Sequence, residues 1–288
     1  MSAAKLVLVS GATGQQGGAV ARSLLAKGHR VRGITRNIES AAAKSLADQG
    51  VEVVTANFTD KQSLVDAAAG VDAFFAMTTP FEGGVEEEAR QGKILVDAAV
   101  SAGVGHVVYS SVASADKNTN IPHFDSKYAV ERQLAATDLT WSVIAPVFFM
   151  ENLFLEQTLD GIRNGTYAAP LPPDVMLQQV AVADIGAFAA HVIANCDDFA
   201  GRRVDIAGDE LTSAQATEEL TKILGRPITF FEVPMDQIRA FSEDFALMYE
   251  WFIDTGYTAD IAGLRDSYPE VGWQRFVDWG RDAVPAAV

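Results

Sequence analysis

The sequence has few basic residues, and this shortage argues against nucleic acids and anionic membranes as partners. Its 288 residues contain 22 Lys and Arg against 38 Asp and Glu, which gives a net charge of -16 at pH 7. Proteins that bind nucleic acid need a basic face to displace counterions from the phosphate backbone. Here no run of Lys or Arg is longer than a pair such as Arg202-Arg203. We therefore expect no nucleic-acid partner and no anionic membrane partner.

Cysteine and long apolar runs are also scarce. The single cysteine, Cys196, excludes an internal disulfide, and the sequence opens without the charged, apolar and cleavage regions of a secretory signal. The longest apolar stretch, residues 141–150, is shorter than the roughly 18 residues that a membrane helix needs. His29, His106 and His191 have no Cys or carboxylate at ligand spacing, which predicts no metal site. A cytoplasmic location is the expectation.

The first half of the chain alternates short β-branched segments with longer segments of helical periodicity. Strands are predicted at residues 5–10, 30–35, 51–56, 73–77, 106–110 and 140–145. Helices are predicted at residues 16–27, 41–49, 61–69, 87–102 and 125–136. A glycine, which favours the left-handed cap of a helix, follows each of the first four helices: Gly28, Gly50, Gly70 and Gly103. The alternation predicts an α/β fold with a doubly wound parallel Rossmann sheet.

After residue 146 the alternation weakens, which predicts a smaller C-terminal α+β lobe. Helices are expected at 152–163, 182–194 and 213–224, with strands at 203–207 and 228–233 and a loop at Pro170, Pro172 and Pro173. The predicted NAD(P)-binding domain is residues 1–150, to which 180–207 return, and the substrate or partner lobe is 151–179 with 208–288. Four aromatic residues at helical spacing predict packing within this lobe: Phe241, Phe245, Tyr249 and Phe252.

A glycine-rich turn follows the first predicted strand directly and opens a helix. Its residues are Gly11, Ala12, Thr13, Gly14, Gln15, Gln16 and Gly17. The first glycine permits a tight turn, the second lets main-chain amides approach a pyrophosphate, and the third lets helix and strand pack closely. Free amides at the helix N-terminus then face the phosphates. Because strand, spacing and helix agree, the turn predicts a bound dinucleotide.

The end of the second strand distinguishes the two nicotinamide cofactors. An acidic residue there accepts a hydrogen bond from the ribose 2′-hydroxyl of NAD(H), whereas an arginine accommodates the 2′-phosphate of NADP(H). The sequence has Arg36 and no acidic residue from 31 to 38. The charged fork of an arginine suits a phosphate, so NADP(H) is favoured over NAD(H). The alternative is that Arg36 is a solvated surface charge.

The residues that follow the third and fourth strands lie where a dinucleotide would cross the sheet. They either border the adenine, ribose or pyrophosphate, or serve as ordinary loop residues: Asn57, Phe58, Thr78, Thr79 and Pro80.

Several further segments resemble a known family. Residues 126–131 read Ser-Lys-x-x-x-Glu, residues 145–152 read Ala-Pro-Val-Phe-Phe-Met-Glu-Asn, 182–186 read Val-Ala-Asp-Ile-Gly, and 208–212 read Gly-Asp-Glu-Leu-Thr. With the glycine turn and Arg36, these segments make the chain resemble the NmrA-like branch of the atypical short-chain dehydrogenases/reductases. The resemblance implies NADP(H) binding and a small C-terminal lobe. It also places three residues in the loop over the nicotinamide: Pro146, Phe148 and Phe149.

The resemblance also implies roles for two residues of the fifth helix. In the wider superfamily a Tyr four residues before a Lys supplies the proton, while the Lys binds the ribose. Lys127 matches that Lys, with a solvent-exposed helix lysine as the alternative, but His123 stands at the Tyr position. Histidine works as an acid or base near neutral pH. The alternative is that His123 is a polar residue at the helix boundary, with Asp125 as the N-cap. The candidate catalytic residues are thus Lys127 and His123.

Two other groups of polar residues lie at the ends of predicted elements. Ser110 and Ser111 end the fifth strand, where they either orient a substrate or bond their own backbone. Glu86, Glu87 and Glu88 are typical of a solvated helix start, which the helix dipole favours.

These predictions combine into two functional hypotheses. The first is an NADPH-dependent oxidoreductase that reduces a small apolar carbonyl, quinone or enone, so that its partner is a small-molecule hydride acceptor. The missing Tyr favours the second, a non-catalytic sensor of NADPH and NADP that regulates a protein partner. The sequence does not indicate an oligomeric state.

Overall fold

Strands and helices alternate along the first half of the chain, as the sequence predicts. The computed structural model describes residues 4–288. Its first strands are β1 (Leu6–Val9), β2 (Arg30–Thr35), β3 (Glu52–Thr55), β4 (Ala73–Met77), β5 (His106–Ser110) and β6 (Thr140–Pro146). The helices between them are α1 (Gln15–Ala26), α2 (Ala41–Asp48), α3 (Lys61–Ala68), α4 (Gly84–Ala102) and α5 (Pro122–Ala135).

The second half mixes shorter strands with helices. In chain order these are β7 (Phe148–Phe149), α6 (Glu156–Arg163), β8 (Thr166–Ala169), β9 (Met176–Val180), α7 (Val182–Ala194), α8 (Cys196–Phe199) and β10 (Arg202–Ile206). They are followed by β11 (Asp209–Thr212), α9 (Ser213–Leu224), β12 (Thr229–Glu232), α10 (Met235–Phe241), α11 (Glu243–Asp254), α12 (Ile261–Ser267) and α13 (Phe276–Ala287). The helix predicted at 152–163 starts later than expected because residues 150–154 form a 3-10 turn.

The long sheet has the strand order β10-β6-β5-β4-β1-β2-β3. β1 pairs in parallel with β2 on one side and with β4 on the other, and parallel pairing continues outward to β3 and to β6. All four residues of β1 are buried, because a sheet covered on both faces selects a continuous apolar run. This topology confirms the predicted doubly wound Rossmann fold, whose strand order reverses next to β1.

Contacts divide the chain into two units. The first comprises residues 4–118, 122–145 and 185–204, and the second comprises 119–121, 146–184 and 205–288. The core of the first unit fills one side of the sheet with side chains that include Leu8, Phe74 and Leu95, each at most 1% exposed. The functional roles predicted for the two domains stay predictions.

The second unit has its own small sheets and core. β9 lies between β11, which is antiparallel to it, and β7, which is parallel, while β8 and β12 form a separate parallel pair. Its core includes Met150, Leu220, Phe276 and Trp279. The predicted aromatic stripe is divided, since Phe241 ends α10 and is 77% exposed, whereas the other three aromatic residues belong to α11.

Candidate dinucleotide site

The glycine turn lies between β1 and α1, at the point where the strand order reverses. Gly14 donates its N–H to the Gly11 carbonyl at 2.9 Å and precedes the helix in an extended conformation. A Cβ on Gly17 would lie 2.5 Å from the Gly11 carbonyl carbon and 2.6 Å from the Ser10 oxygen. Only glycine therefore lets the helix approach the strand this closely.

The start of α1 is left open toward a ligand. Among the described residues, no side chain caps this helix, and Thr13, Gly14 and Gln15 are exposed. Gln16 is buried in the same turn, and its Oε1 has no hydrogen-bond partner among residues 4–288. Uncapped amides at a helix N-terminus suit an anion, so the turn fits the pyrophosphate of a dinucleotide.

Ser10 ties the turn to the end of β4. Its hydroxyl accepts a hydrogen bond from the Met77 N–H at 2.7 Å and lies 3.2 Å from the Met77 carbonyl oxygen. Gly11 has φ +60°, and a Cβ there would overlap the sulfur of Met77. The residues after β4 are thereby held beside the glycine turn, although Ser10 and Met77 are 67 positions apart in the chain.

Arg36 follows β2, as predicted, but a carboxylate already occupies its guanidinium. Its Nη1 lies 2.7 Å from Glu82 Oε2 and its Nη2 lies 3.0 Å from Glu82 Oε1, so the two groups pair through two parallel hydrogen bonds. Glu82 lies in the turn between β4 and α4. No local sequence signal at the end of β2 points to Glu82, which lies 46 residues further along the chain.

The residues predicted after β3 are engaged in local structure. The Asn57 N–H donates to Ser63 Oγ at 3.0 Å, and Asn57 Oδ1 accepts from the Thr59 N–H at 3.0 Å. Phe58 packs against the core of the first unit. These contacts form the turn that precedes α3, and contact with an adenine stays a prediction for both residues.

Thr78 and Lys127 meet at a buried carboxylate, Glu88. Lys127 Nζ lies 2.7 Å from Glu88 Oε1 and donates to the Thr78 carbonyl at 3.0 Å. Thr78 Oγ1 donates to the same Glu88 oxygen at 3.1 Å and is 3.2 Å from the Tyr109 hydroxyl. Ser126 Oγ donates to Glu88 Oε2 at 2.5 Å. We refer to these five residues as the Glu88 network.

The Glu88 network corrects the interpretation of the three consecutive glutamates. The Glu88 side chain is fully buried and fully bonded rather than solvated, although Glu86 at the start of α4 is exposed. The network also fixes the Lys127 ammonium, which has three N–H donors. Two of them are directed to Glu88 and to the Thr78 carbonyl, and contact of the third with a ribose hydroxyl stays a prediction.

The residues next to Thr78 form a tight turn. Thr79 Oγ1 accepts a hydrogen bond from the Phe81 N–H at 3.4 Å, and the Pro80 carbonyl accepts from the Gly84 N–H at 2.7 Å. This turn carries Glu82, so it joins the end of β4 to the Arg36 ion pair.

His123 lies inside the first turn of α5, because the helix begins at Pro122. The prediction that Asp125 is the N-cap is therefore wrong, since it lies within the helix. His123 is only 7% exposed, and its ring meets the Phe124 ring edge-on, with 4.8 Å between the ring centroids. A proton-transfer role for His123 stays a prediction.

The two serines at the end of β5 have different surroundings. Ser111 Oγ donates to the Glu131 carboxylate, which also pairs with Arg203 Nε at 3.0 Å. Burial raises the pKa of Glu131, and the Arg203 charge opposes this increase. Ser111 is thus bound into a structural cluster, whereas the Ser110 hydroxyl is buried without a hydrogen-bond partner in the described chain. Ser110 is the better candidate to orient a ligand.

In the second unit, Pro146 lies at the end of β6, and Phe148 and Phe149 form β7 beside β9. The Phe148 ring meets the Phe252 ring edge-on, with 6.3 Å between centroids. A nicotinamide contact for Pro146, Phe148 and Phe149 stays a prediction.

The acidic residues of the family-like segments stabilise the second unit. Glu151 Oε2 accepts from the Val182 N–H at 2.9 Å, at the start of α7, and Glu151 Oε1 accepts from Trp279 Nε1 at 3.0 Å. Asp184 Oδ2 accepts from the Gln274 N–H at 2.8 Å. Burial raises the pKa of Asp184 to about 6. These two carboxylates hold the C-terminal segment through hydrogen bonds. Their presence in the family-like segments therefore has a structural explanation that requires no ligand.

Residues 4–288 contain neither a helix suited to a membrane nor a cluster of side chains suited to a metal ion. No helix in this range is both long and apolar enough to cross a bilayer. Within the same range, no group of three or more His, Cys, Asp or Glu residues is arranged to hold a metal ion.

The chain is similar to a known family and to proteins described as oxidoreductases. Residues 3–285 match the NmrA-like family. The NmrA-like family domain-containing oxidoreductase malD of Malbranchea aurantiaca is 30% identical over 283 residues, which cover 88% of this chain and 84% of that protein. The NADPH-bound quinone oxidoreductase QOR2 of Escherichia coli has a TM-score of 0.79 at 25% identity, over 98% of this chain and 99% of that one.

A regulator shares the same fold. NmrA, described as a negative transcriptional regulator and solved in complex with NADP, has a TM-score of 0.82 at 20% identity, over 98% of this chain and 96% of that one. NmrA has also been solved in complex with NAD. The fold thus occurs in proteins described as oxidoreductases and in one described as a regulator.

Proposed function

Since the chain belongs to the NmrA-like family, we propose that it binds NADP(H) and transfers hydride from NADPH to a small apolar carbonyl, quinone or enone. The observation that carries this proposal is the glycine turn at the reversal of strand order, where Gly17 lies against the strand and the amides of α1 are uncapped. The relatives described as oxidoreductases, malD and QOR2, support the reaction class.

Each residue of the proposed site has a distinct task. The main-chain amides of the glycine turn would hold the pyrophosphate, and Arg36 would hold the 2′-phosphate. Lys127, fixed by Glu88 and the Thr78 carbonyl, would direct its remaining donor to a ribose hydroxyl. Asn57, Phe58, Thr79, Pro80, Pro146, Phe148 and Phe149 remain proposed contacts of the cofactor.

The chemistry divides between the cofactor and the chain. NADPH supplies the hydride when bound, and the protein supplies binding, orientation and electrostatics. When the carbon of a carbonyl receives hydride, its oxygen must receive a proton. We assign the role of proton donor to His123 or to water. The buried Ser110 hydroxyl would orient the acceptor, since it has no other partner among the described residues.

A second function, that of an NADPH and NADP sensor, is favoured by the environment of position 123. The histidine there is 7% exposed and packs against Phe124, which is unlike a proton donor facing an open site. The regulator NmrA has the same fold. Such a sensor needs a partner with different affinities for the NADPH-bound and NADP-bound forms.

Calorimetric titration tests the binding part of the proposal. Gly14→Ala should weaken NADPH binding by roughly ten-fold or more, about 1.4 kcal/mol, because a methyl group would stand between the amides and the pyrophosphate. Gly18→Ala is the matched control, since a Cβ at either position would come no closer than 3.3 Å to a neighbour. Equal affinities for the two variants, or no binding by the unaltered protein, would refute the site.

Loss of NADPH absorbance with a panel of quinones, enones and aldehydes tests the reaction. Turnover by the unaltered protein that is lost in Lys127→Ala supports the oxidoreductase. Tight NADPH binding without oxidation by any acceptor in the panel would favour the sensor instead.

A further inference from the structure

We propose that Glu82 sets the preference of this protein between NADP(H) and NAD(H), because it competes with the 2′-phosphate for Arg36. The inference rests on the proposed binding of a nicotinamide dinucleotide. It adds a specificity-determining residue that lies on a different loop from the arginine.

The geometry of the ion pair places the carboxylate where a phosphate would bind. Glu82 uses both of its oxygens to contact both terminal nitrogens of Arg36, at 2.7 and 3.0 Å. A phosphate that binds an arginine end-on, through its two terminal nitrogens, needs the position that the Glu82 carboxylate occupies. End-on binding of a 2′-phosphate to Arg36 therefore requires Glu82 to leave the guanidinium.

The exposure of the pair determines how readily this exchange occurs. The Arg36 and Glu82 side chains are 70% and 62% exposed, and exposed ion pairs are weak because water and salt screen them. A phosphate monoester carries a charge of about −1.5 to −2 at neutral pH, which exceeds the single charge of a carboxylate. The phosphate therefore displaces Glu82, at a modest loss of affinity.

NAD(H) has no group that can make this exchange. Its 2′-hydroxyl is uncharged, so Glu82 stays on Arg36, and the carboxylate remains available to accept a hydrogen bond from that hydroxyl, as acidic residues do in NAD(H) sites. The presence of Glu82 thus lowers the affinity for NADP(H) and does not lower the affinity for NAD(H). The result is a smaller preference for NADP(H) than Arg36 alone would give.

The test compares two charge-matched variants by calorimetric titration with NADPH and with NADH. Glu82→Gln removes the competing charge, and we expect its NADPH affinity to rise about two- to five-fold, while NADH affinity stays the same or falls. Glu86→Gln is the control, since it removes the same charge from an exposed position four residues away, in the first turn of α4. Its ratio of affinities should equal that of the unaltered protein. Melting temperatures would verify that both variants are folded.

A third variant ties the effect to the ion pair. In an Arg36→Met background, Glu82→Gln should raise NADPH affinity by less than it does when Arg36 is present, because the guanidinium for which Glu82 competes has been removed. A ratio that is the same in Glu82→Gln and Glu86→Gln, or a gain in NADPH affinity that is as large without Arg36 as with it, would overturn the role of Glu82 while leaving dinucleotide binding intact. A protein that binds neither dinucleotide would overturn the proposed function, and the role of Glu82 with it.

Discussion

At the scale of single residues, the Lys127–Glu88 pair should tolerate the loss of both partners better than the loss of one. Lys127→Met leaves the fully buried Glu88 carboxylate without its cation, and breaking a buried pair in this way costs about 3–5 kcal/mol of unfolding free energy. Adding Glu88→Gln should recover most of that loss. Urea unfolding of the two single variants and the double variant measures the coupling.

Lys93→Met provides the control for this cycle. Lys93 is 64% exposed and pairs with Asp97 on the same helix, α4, so its loss should cost less than about 1 kcal/mol. If the double variant at positions 127 and 88 were as unstable as the sum of its two single variants, the two side chains would not be coupled.

The buried carboxyl of Asp184 should make the unfolding free energy depend on pH. Burial raises its pKa from 3.8 to about 6 in the folded protein, so between these values the folded state binds more protons than the unfolded state. The contribution of this carboxyl to the unfolding free energy therefore falls as pH rises from about 4 to about 6, by about 3 kcal/mol, and is constant above that window.

Asp184→Asn should remove this part of the pH dependence. We expect a smaller loss of unfolding free energy between about pH 4 and pH 6, measured by urea unfolding at a series of pH values. Asp278→Asn is the control, because the Asp278 side chain is 58% exposed. Parallel pH profiles for Asp184→Asn and the unaltered protein would show that Asp184 does not titrate in this range.

At the scale of elements, the packing of α4 against α5 depends on one glycine. A Cβ on Gly92 would overlap the Val130 side chain, so Gly92→Ala should push the helices apart and cost about 1–3 kcal/mol. Val130→Ala makes room for the new methyl group, and in that background Gly92→Ala should cost far less. Urea unfolding of all four proteins measures this difference, and an unchanged cost would show that the contact is not limiting.

The same helix pair carries the Glu88 network, because Glu88 lies one turn before Gly92 and Lys127 lies one turn before Val130. Gly92→Ala should therefore also weaken NADPH binding, and Val130→Ala should restore it. Binding that stays constant while stability falls would separate the packing of these helices from the site.

The parallel strands and their helices could be predicted from the sequence because each one has a local signal. β1 is an uninterrupted apolar run, and Gly28 and Gly103 follow helices with φ of +79° and +66°. By contrast β7, β8, β9 and β11 were not predicted. β7 has only two residues, and the other three contain polar residues and one β-branched residue each, so they take their stability from pairing with distant segments. Local periodicity contains no information about such partners.

The site shows the same division between local and distant signals. The glycine turn and Arg36 follow from spacing next to a strand, and the structure places both at the predicted strand ends. Glu88 appeared to be one of three solvated acids, because only the distant Lys127, Ser126 and Thr78 reveal why it is buried. Glu82 was missed for the same reason, since 46 residues separate it from Arg36.

At the scale of the whole molecule, the net charge of -16 predicts how stability responds to salt. Mutual repulsion among like charges destabilises a compact state, and the screening length falls from about 30 Å at 0.01 M salt to about 8 Å at 0.15 M. Salt also weakens attractive pairs, but exposed pairs such as Lys93–Asp97 and Arg36–Glu82 contribute little. We therefore expect the melting temperature to rise with NaCl over this range. Calorimetry in NaCl and in KCl separates screening from ion binding, because screening predicts the same curve for both salts. A melting temperature that falls with salt would mean that attractive pairs outweigh the repulsion.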